Sequence, residues 1–294
     1  MNRREFISTA SAVTLAAGVL APAYGDPSGR PKKSVMYSML PGNLSVEERF
    51  KLARAVGFEG VECSPVGSES QATALRSAAE KAGIPIQSII YGGWDAPLSD
   101  PNPAVIAKGL ANTRSAMQDA RWMGAENILL VPAVVTAKVR YKDAYERSQK
   151  NIRALIPTAE KLNIMICCEE VWNNFLLSPM EFAHYIDSFK HPLVQAYFDV
   201  GNVVTFGWPE DWIRTLGKRI KKVHLKDYKG GPGLFGGNKG NFVMLREGSI
   251  NWPEVRRAFA EIGYTGYMNT ELGGGDEAYL RDVSARVDKI LAGE

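Results

Sequence analysis

Past Asp26-Pro27-Ser28-Gly29 the chain alternates short apolar runs with longer stretches of mixed polarity. The apolar runs predict strands at 34–39, 59–63, 86–91, 127–132, 164–170, 195–199, 221–226 and 267–271, most of them rich in Ile, Val, Tyr or Leu. The stretches between them are amphipathic and carry helix start and stop signals. Ser45 with Glu48 three residues on predicts a capping box. Ser178 before Pro179, and Asn251 before Trp252-Pro253, predict helix N-termini with proline in the first turn. Ala82-Gly83, Leu216-Gly217 and Ile262-Gly263 predict helix ends.

Strands alternating with helices call for parallel strands joined by helical crossovers. Eight such units over about 270 residues match the usual length of a (β/α)8 TIM barrel. An open doubly wound sheet would announce a glycine-rich phosphate loop after its first strand, and Met39-Leu40-Pro41-Gly42-Asn43 is not one. The expectation is an α/β fold, a single-domain barrel over residues 30–294.

The N-terminus does not fit that pattern. Arg3-Arg4-Glu5-Phe6-Ile7, a mildly apolar run from Ala10 to Ala21, and Ala21-Pro22-Ala23 read as a signal peptide over residues 1–23. The arginine pair resembles the twin-arginine type, whose pathway carries folded proteins. The apolar run is too short to span a bilayer. The expectation is therefore a periplasmic or otherwise exported protein with no stable membrane anchor after processing. Composition then removes whole classes. With 294 residues, 45% hydrophobic and a net charge of +3, the chain is neither disordered nor a strongly basic nucleic-acid binder. Three cysteines are too few for a disulfide scaffold, and Cys63, Cys167 and Cys168 are expected as buried free thiols.

In such a barrel the chemistry gathers at the C-terminal strand ends. The last four predicted strands finish on Glu169-Glu170, Asp199, His224 and Glu271. Isolated buried carboxylates are costly, and a shared cation would offset that cost. Any one of these residues alone reads more simply as solvated, salt-bridged or hydrogen-bonded. Four on consecutive strands point to a metal. Period-two alternation sends Glu169 and Glu170 to opposite faces, so one of the pair faces the barrel axis.

Around these positions the chain resembles a known family. Glu170-Val171-Trp172-Asn173, Phe198-Asp199-Val200-Gly201-Asn202, Val223-His224-Leu225-Lys226-Asp227 and Asn269-Thr270-Glu271 are similar to the sugar (phosphate) isomerase/epimerase family. That family has the xylose isomerase-like barrel and includes ketose 3-epimerases, hydroxypyruvate isomerase and inosose dehydratase. Residues 57–62, 247–252 and 262–266 match too, so the resemblance covers essentially the whole mature chain. It implies four metal ligands, Glu170, Asp199, His224 and Glu271, with the Glu-x-x-Asn match favouring Glu170 over Glu169. Three carboxylates and one imidazole suit one divalent ion, Mn2+ first, with Mg2+, Co2+ and Zn2+ also compatible. The resemblance also implies Glu170 and Glu271 as general base and general acid around a keto-sugar carbon, with a metal-stabilised enediolate between.

The expected activity is therefore metal-dependent sugar isomerisation or epimerisation. A lyase or dehydratase acting on keto-sugars or keto-glycosides is one alternative, and a sugar-binding protein without turnover is another. Intact Glu170 and Glu271 argue against the last. Three histidines are too few for the zinc cluster of a DNA-repair endonuclease on the same barrel. Members of the D-tagatose 3-epimerase type carry a His where this chain has Asn202, and a second Glu where it has Leu176. The Asp199-Val200-Gly201-Asn202 version is more like pentulose-phosphate epimerases.

Six further residues are candidates for substrate contact: Glu62, Trp94, Trp172, Asn173, Asn202 and Lys226. Glu62 reads as a ligand to sugar hydroxyls or as a surface ion pair. Trp94 and Trp172 read as an apolar wall for a sugar ring or as core packing. Lys226 shares the barrel-facing side with His224 and either holds a substrate oxygen or phosphate or neutralises the carboxylates. The glycine-rich segment 229–240 is expected to act as a lid over substrate. The expected partner is a small sugar or keto-glycoside, with homo-oligomerisation left open.

Overall fold

A computed structural model of the protein describes residues 29–231 and 240–294. The leader expected over 1–23, and residues 232–239 of the expected lid, lie outside the described residues. In chain order the strands are β1 (Lys32–Met36), β2 (Gly60–Cys63), β3 (Ile86–Gly92), β4 (Asn127–Leu130), β5 (Met165–Glu169), β6 (Val194–Asp199) and β7 (Ile220–Leu225). Then follow β8 (Asp227–Lys229), β9 (Asn241–Val243) and β10 (Tyr267–Thr270). Strands β1 to β7 pair in sequence and in parallel, β10 pairs with β7, and β1 pairs with β10 to close the barrel. This is a single-domain (β/α)8 TIM barrel.

Among the described residues nine helices accompany these strands: α1 (Val46–Ala55), α2 (Glu69–Ala82), α3 (Pro103–Met123), α4 (Tyr141–Arg153), α5 (Ile156–Leu162), α6 (Pro179–Ser188), α7 (Pro209–Leu216), α8 (Trp252–Glu261) and α9 (Glu277–Ala292). The predicted capping box starts α1: Ser45 accepts from the Glu48 backbone N–H, and the Glu48 carboxylate accepts from Ser45 N–H in return. Ser178 and Asn251 cap α6 and α8 through Glu181 N–H and Glu254 N–H. Each such cap contributes about 1 kcal/mol.

All eight predicted barrel strands are present with shifted ends. The first is Lys32–Met36, and Tyr37–Met39 turns into a 3-10 helix instead of extending it. The antiparallel β8–β9 hairpin was not predicted. Its strands have three residues each, too few to show a period.

Two apolar regions hold the fold together. The larger lies between the strands and the helices, with Phe50, Phe58, Phe182, Trp212 and Phe259 fully buried. Each such side chain contributes roughly 1.5–3 kcal/mol by leaving water. The smaller, of Leu129, Met165, Cys167 and Tyr197, is a separate cluster. Along β5, therefore, Met165 and Cys167 face one way while Ile166 and Cys168 join the larger core. All three cysteines are free and buried, as expected.

Candidate active site

Alternation along β5 carries Glu169 onto the face of Met165 and Cys167, and β6, β7 and β10 deliver Asp199, His224 and Glu271 to the same place. One ligand atom from each of Glu169, Asp199, His224 and Glu271 lies within 4.8 Å of the others. His224 Nδ1 is 2.8 Å from Glu169 Oε1, 2.7 Å from Glu271 Oε2 and 4.0 Å from Asp199 Oδ2.

The structure thus gathers three of the four residues implied as ligands and takes Glu169 in place of Glu170. Glu170 follows the last residue of β5 and is not part of that group. Its Oε1 accepts the Asp199 backbone N–H at 2.7 Å, and its Oε2 is buried without a hydrogen bond. Burial first, then the charges of Glu169 and Asp199, hold its carboxyl well above the usual range. The signal that singles out Glu169 is its parity with Met165 and Cys167. Both parities of β5 are apolar, so the sequence left that signal silent.

Crowding perturbs the cluster itself. Burial pushes Glu169 up to about 7, although His224 draws it back. Burial also works to raise Glu271, but His224 and then Lys226 outweigh it and hold that carboxyl well below its ordinary value. Burial would lower His224, but Glu271, Glu62 and Glu169 hold it well above its ordinary value. Lys226 Nζ lies 3.0 Å from Asp199 Oδ2 and 2.8 Å from Glu271 Oε2. Those two buried oxygens nevertheless accept no hydrogen bond of good geometry. Three carboxylates crowded around one imidazole nitrogen fit a divalent cation, which takes carboxylate oxygen and imidazole together.

The other candidates divide. Lys226 and Glu271 line a cavity of about 560 Å3 with Met36, Phe242 and Leu272. Trp172 is half exposed and stacks on Phe242 with ring centroids 5.0 Å apart, while Phe242 also sits 5.5 Å from Lys226 Nζ. Phe242 arrives on the β8–β9 hairpin. Buried Asp227 anchors that hairpin by accepting from Arg246 N–H, Gly248 N–H and the Trp252 indole. A side chain at Gly248 would collide with Asp227 itself. Trp94 stands exposed in the loop after β3.

Asn173 and Asn202 are loop braces. Asn173 Nδ2 donates to Ala133 O and its Oδ1 accepts from Phe175 N–H; Asn202 Nδ2 donates to Glu170 O. Glu62 is neither a surface ion pair nor open to a sugar. It is 1% exposed and bonded to His224, Tyr197 and Asn269. The sequence offered no sign of this, because the partners come from three distant strands.

Comparison with known proteins agrees with the barrel fold. The profile of the xylose isomerase-like TIM barrel family matches residues 50–288. The chain belongs to that family. It is 27% identical over 244 residues to the L-ribulose-5-phosphate 3-epimerase UlaE of Escherichia coli O1:K1, covering 77% of this chain and 82% of that protein. The corresponding protein of Salmonella paratyphi A is 26% identical over the same length. Among solved structures, the D-psicose 3-epimerase of Clostridium cellulolyticum H10 with D-tagatose superimposes with a TM-score of 0.72 at 20% identity, over 88% of this chain and 98% of that one. The 3-keto-D-glucoside 4-epimerase YcjR of E. coli gives 0.74 at 15% identity, over 88% and 100%. At those identities the two structures share the fold.

Proposed function

We propose that the protein is a divalent-metal-dependent epimerase of keto-sugars that moves a proton on the carbon beside the carbonyl. The observation that carries this reading is the convergence of Glu169, Asp199, His224 and Glu271 next to the cavity holding Lys226. The 3-epimerases among its relatives support the reaction class. A divalent cation bound there, Mn2+ by preference, supplies the Lewis acidity that polarises the carbonyl.

The chain's own residues do the rest. Glu169 and Glu271 come from β5 and β10, with β6 and β7 between them. They would flank the carbon beside the carbonyl, one removing its proton and the other returning it. Lys226, held by Asp199 and Glu271, presents its ammonium toward a substrate oxygen. Trp172 and Phe242 offer a flat apolar face to a sugar ring. That wall, with a leader of the export type, favours an unphosphorylated keto-sugar or keto-glycoside over a sugar phosphate.

The test is incubation of Mn2+-loaded protein in D2O with a panel of keto-sugars and keto-glycosides. Deuterium entering at one carbon with inversion there is the expected result. Release of a leaving group instead would place the protein with lyases, and tight binding without any exchange would refute the enzyme. Residues 1–30 fused to a reporter should send it across the cytoplasmic membrane, with Arg3→Lys plus Arg4→Lys blocking export.

A further inference from the structure

A histidine offers two ring nitrogens, and a metal takes one of them while the other fixes the tautomer. In His224 the nitrogen facing the carboxylate cluster is Nδ1, and Nε2 lies 2.8 Å from Glu62 Oε2. Glu62 reaches it from β2, which is paired with β1 and β3 and not with β7. The carboxylate is tied down independently: Tyr197 donates its hydroxyl to Oε1 at 2.8 Å, and Asn269 Nδ2 donates to Oε2 at 2.8 Å. Glu62, Tyr197, Asn269 and His224 are all buried. The Tyr197 ring also packs against the imidazole, with ring centroids 4.4 Å apart.

We propose that Glu62 is a positioning residue that holds the His224 proton on Nε2 and so keeps the Nδ1 lone pair aimed at the metal. Two donors, Tyr197 and Asn269, leave its carboxylate facing Nε2 as an acceptor. An amide in its place could turn its NH2 toward Nε2, which would move the ring proton to Nδ1 and remove the lone pair a cation needs. The role rests on the metal reading above, though not on which sugar is turned over.

Metal affinity and histidine tautomer test it together. Glu62→Gln should weaken Mn2+ binding, measured calorimetrically, by about 10- to 100-fold. Tyr197→Phe keeps the ring against His224 and removes one donor to Glu62, so it should weaken binding less, by about 2- to 10-fold. Because the chain has three histidines, their 15N signals are readily separated. In the Zn2+-loaded wild type one ring should show a metal-bound Nδ1 with a protonated Nε2, and Glu62→Gln should lose that pattern. A merely structural Glu62 would lower the melting temperature and leave both readouts unmoved. If Glu62→Gln fails to fold, unchanged affinity and an unchanged 15N pattern in Tyr197→Phe overturn the role. Unchanged affinity and tautomer in a folded Glu62→Gln do the same. A wild type that binds no divalent ion overturns the metal reading as well, which separates the two failures.

Discussion

Near the N-terminal end of the barrel, Lys222 Nζ donates to Gln87 O at 3.0 Å, Gln87 Oε1 at 2.9 Å and Glu126 Oε2 at 3.0 Å. At the C-terminal end, Glu62, Glu169, Asp199 and Glu271 face His224 and Lys226, and four carboxylates there share two cationic side chains. Both groups are buried charge in one fold. The first satisfies every proton of its ammonium, so it serves structure. The second crowds more carboxylates than cations at the cost of desolvation, and such a site makes sense when a further cation completes it. A cavity of about 310 Å3 beside Lys222 shows that space alone does not make a site.

The sharpest way to break this contrast is at Glu271. Glu271→Gln should lower the proton-exchange rate by about 10²- to 10⁴-fold while leaving the fold intact. Full activity in D2O would remove Glu271 from the chemistry. Next comes the adjacent pair on β5. Glu169→Gln should weaken Mn2+ binding severely. Glu170→Gln should leave it unchanged, because that carboxyl stands outside the cluster and accepts the Asp199 backbone N–H; the reverse ranking by calorimetry would restore Glu170 as the ligand.

At the other end of the barrel, Lys222→Met leaves Gln87 without its donor and should cost about 1–3 kcal/mol in denaturant melts. Turnover should not change there, whereas a loss of activity would show that the two ends are coupled. Phe242→Ala should raise KM by about 2- to 10-fold with kcat preserved, the worth of one ring contact. The smallest effect is expected at the thiols. Burial pushes Cys167 up to about 12 and raises Cys63 and Cys168 as well, so iodoacetamide should label none in the native protein and all three after unfolding.

What could be read from the sequence depended on how local each signal was. Strand-helix alternation, the capping residues Ser45, Ser178 and Asn251, and the polar ends of the last four strands all act within a few residues. They yielded the barrel and three of its four clustered residues. At the adjacent pair on β5 the local motif favours Glu170, whereas strand parity brings Glu169 into the cluster. Asn173 and Asn202 come from the family-like motifs after β5 and β6, and each donates its side-chain amide to the backbone of a neighbouring loop.

By itself, then, the sequence determined the eight-unit barrel, the face on which chemistry collects and the acid-rich character of the site. Only the tertiary structure decided that Glu169 is the inward carboxylate, that Glu62 stands behind His224, and that Asp227 carries Phe242 over to Trp172. The physical reason is closure. Circling a sheet into a barrel makes neighbours of side chains that lie 162 residues apart, as Glu62 and His224 do, and no period along the chain records which pairs will meet across the axis.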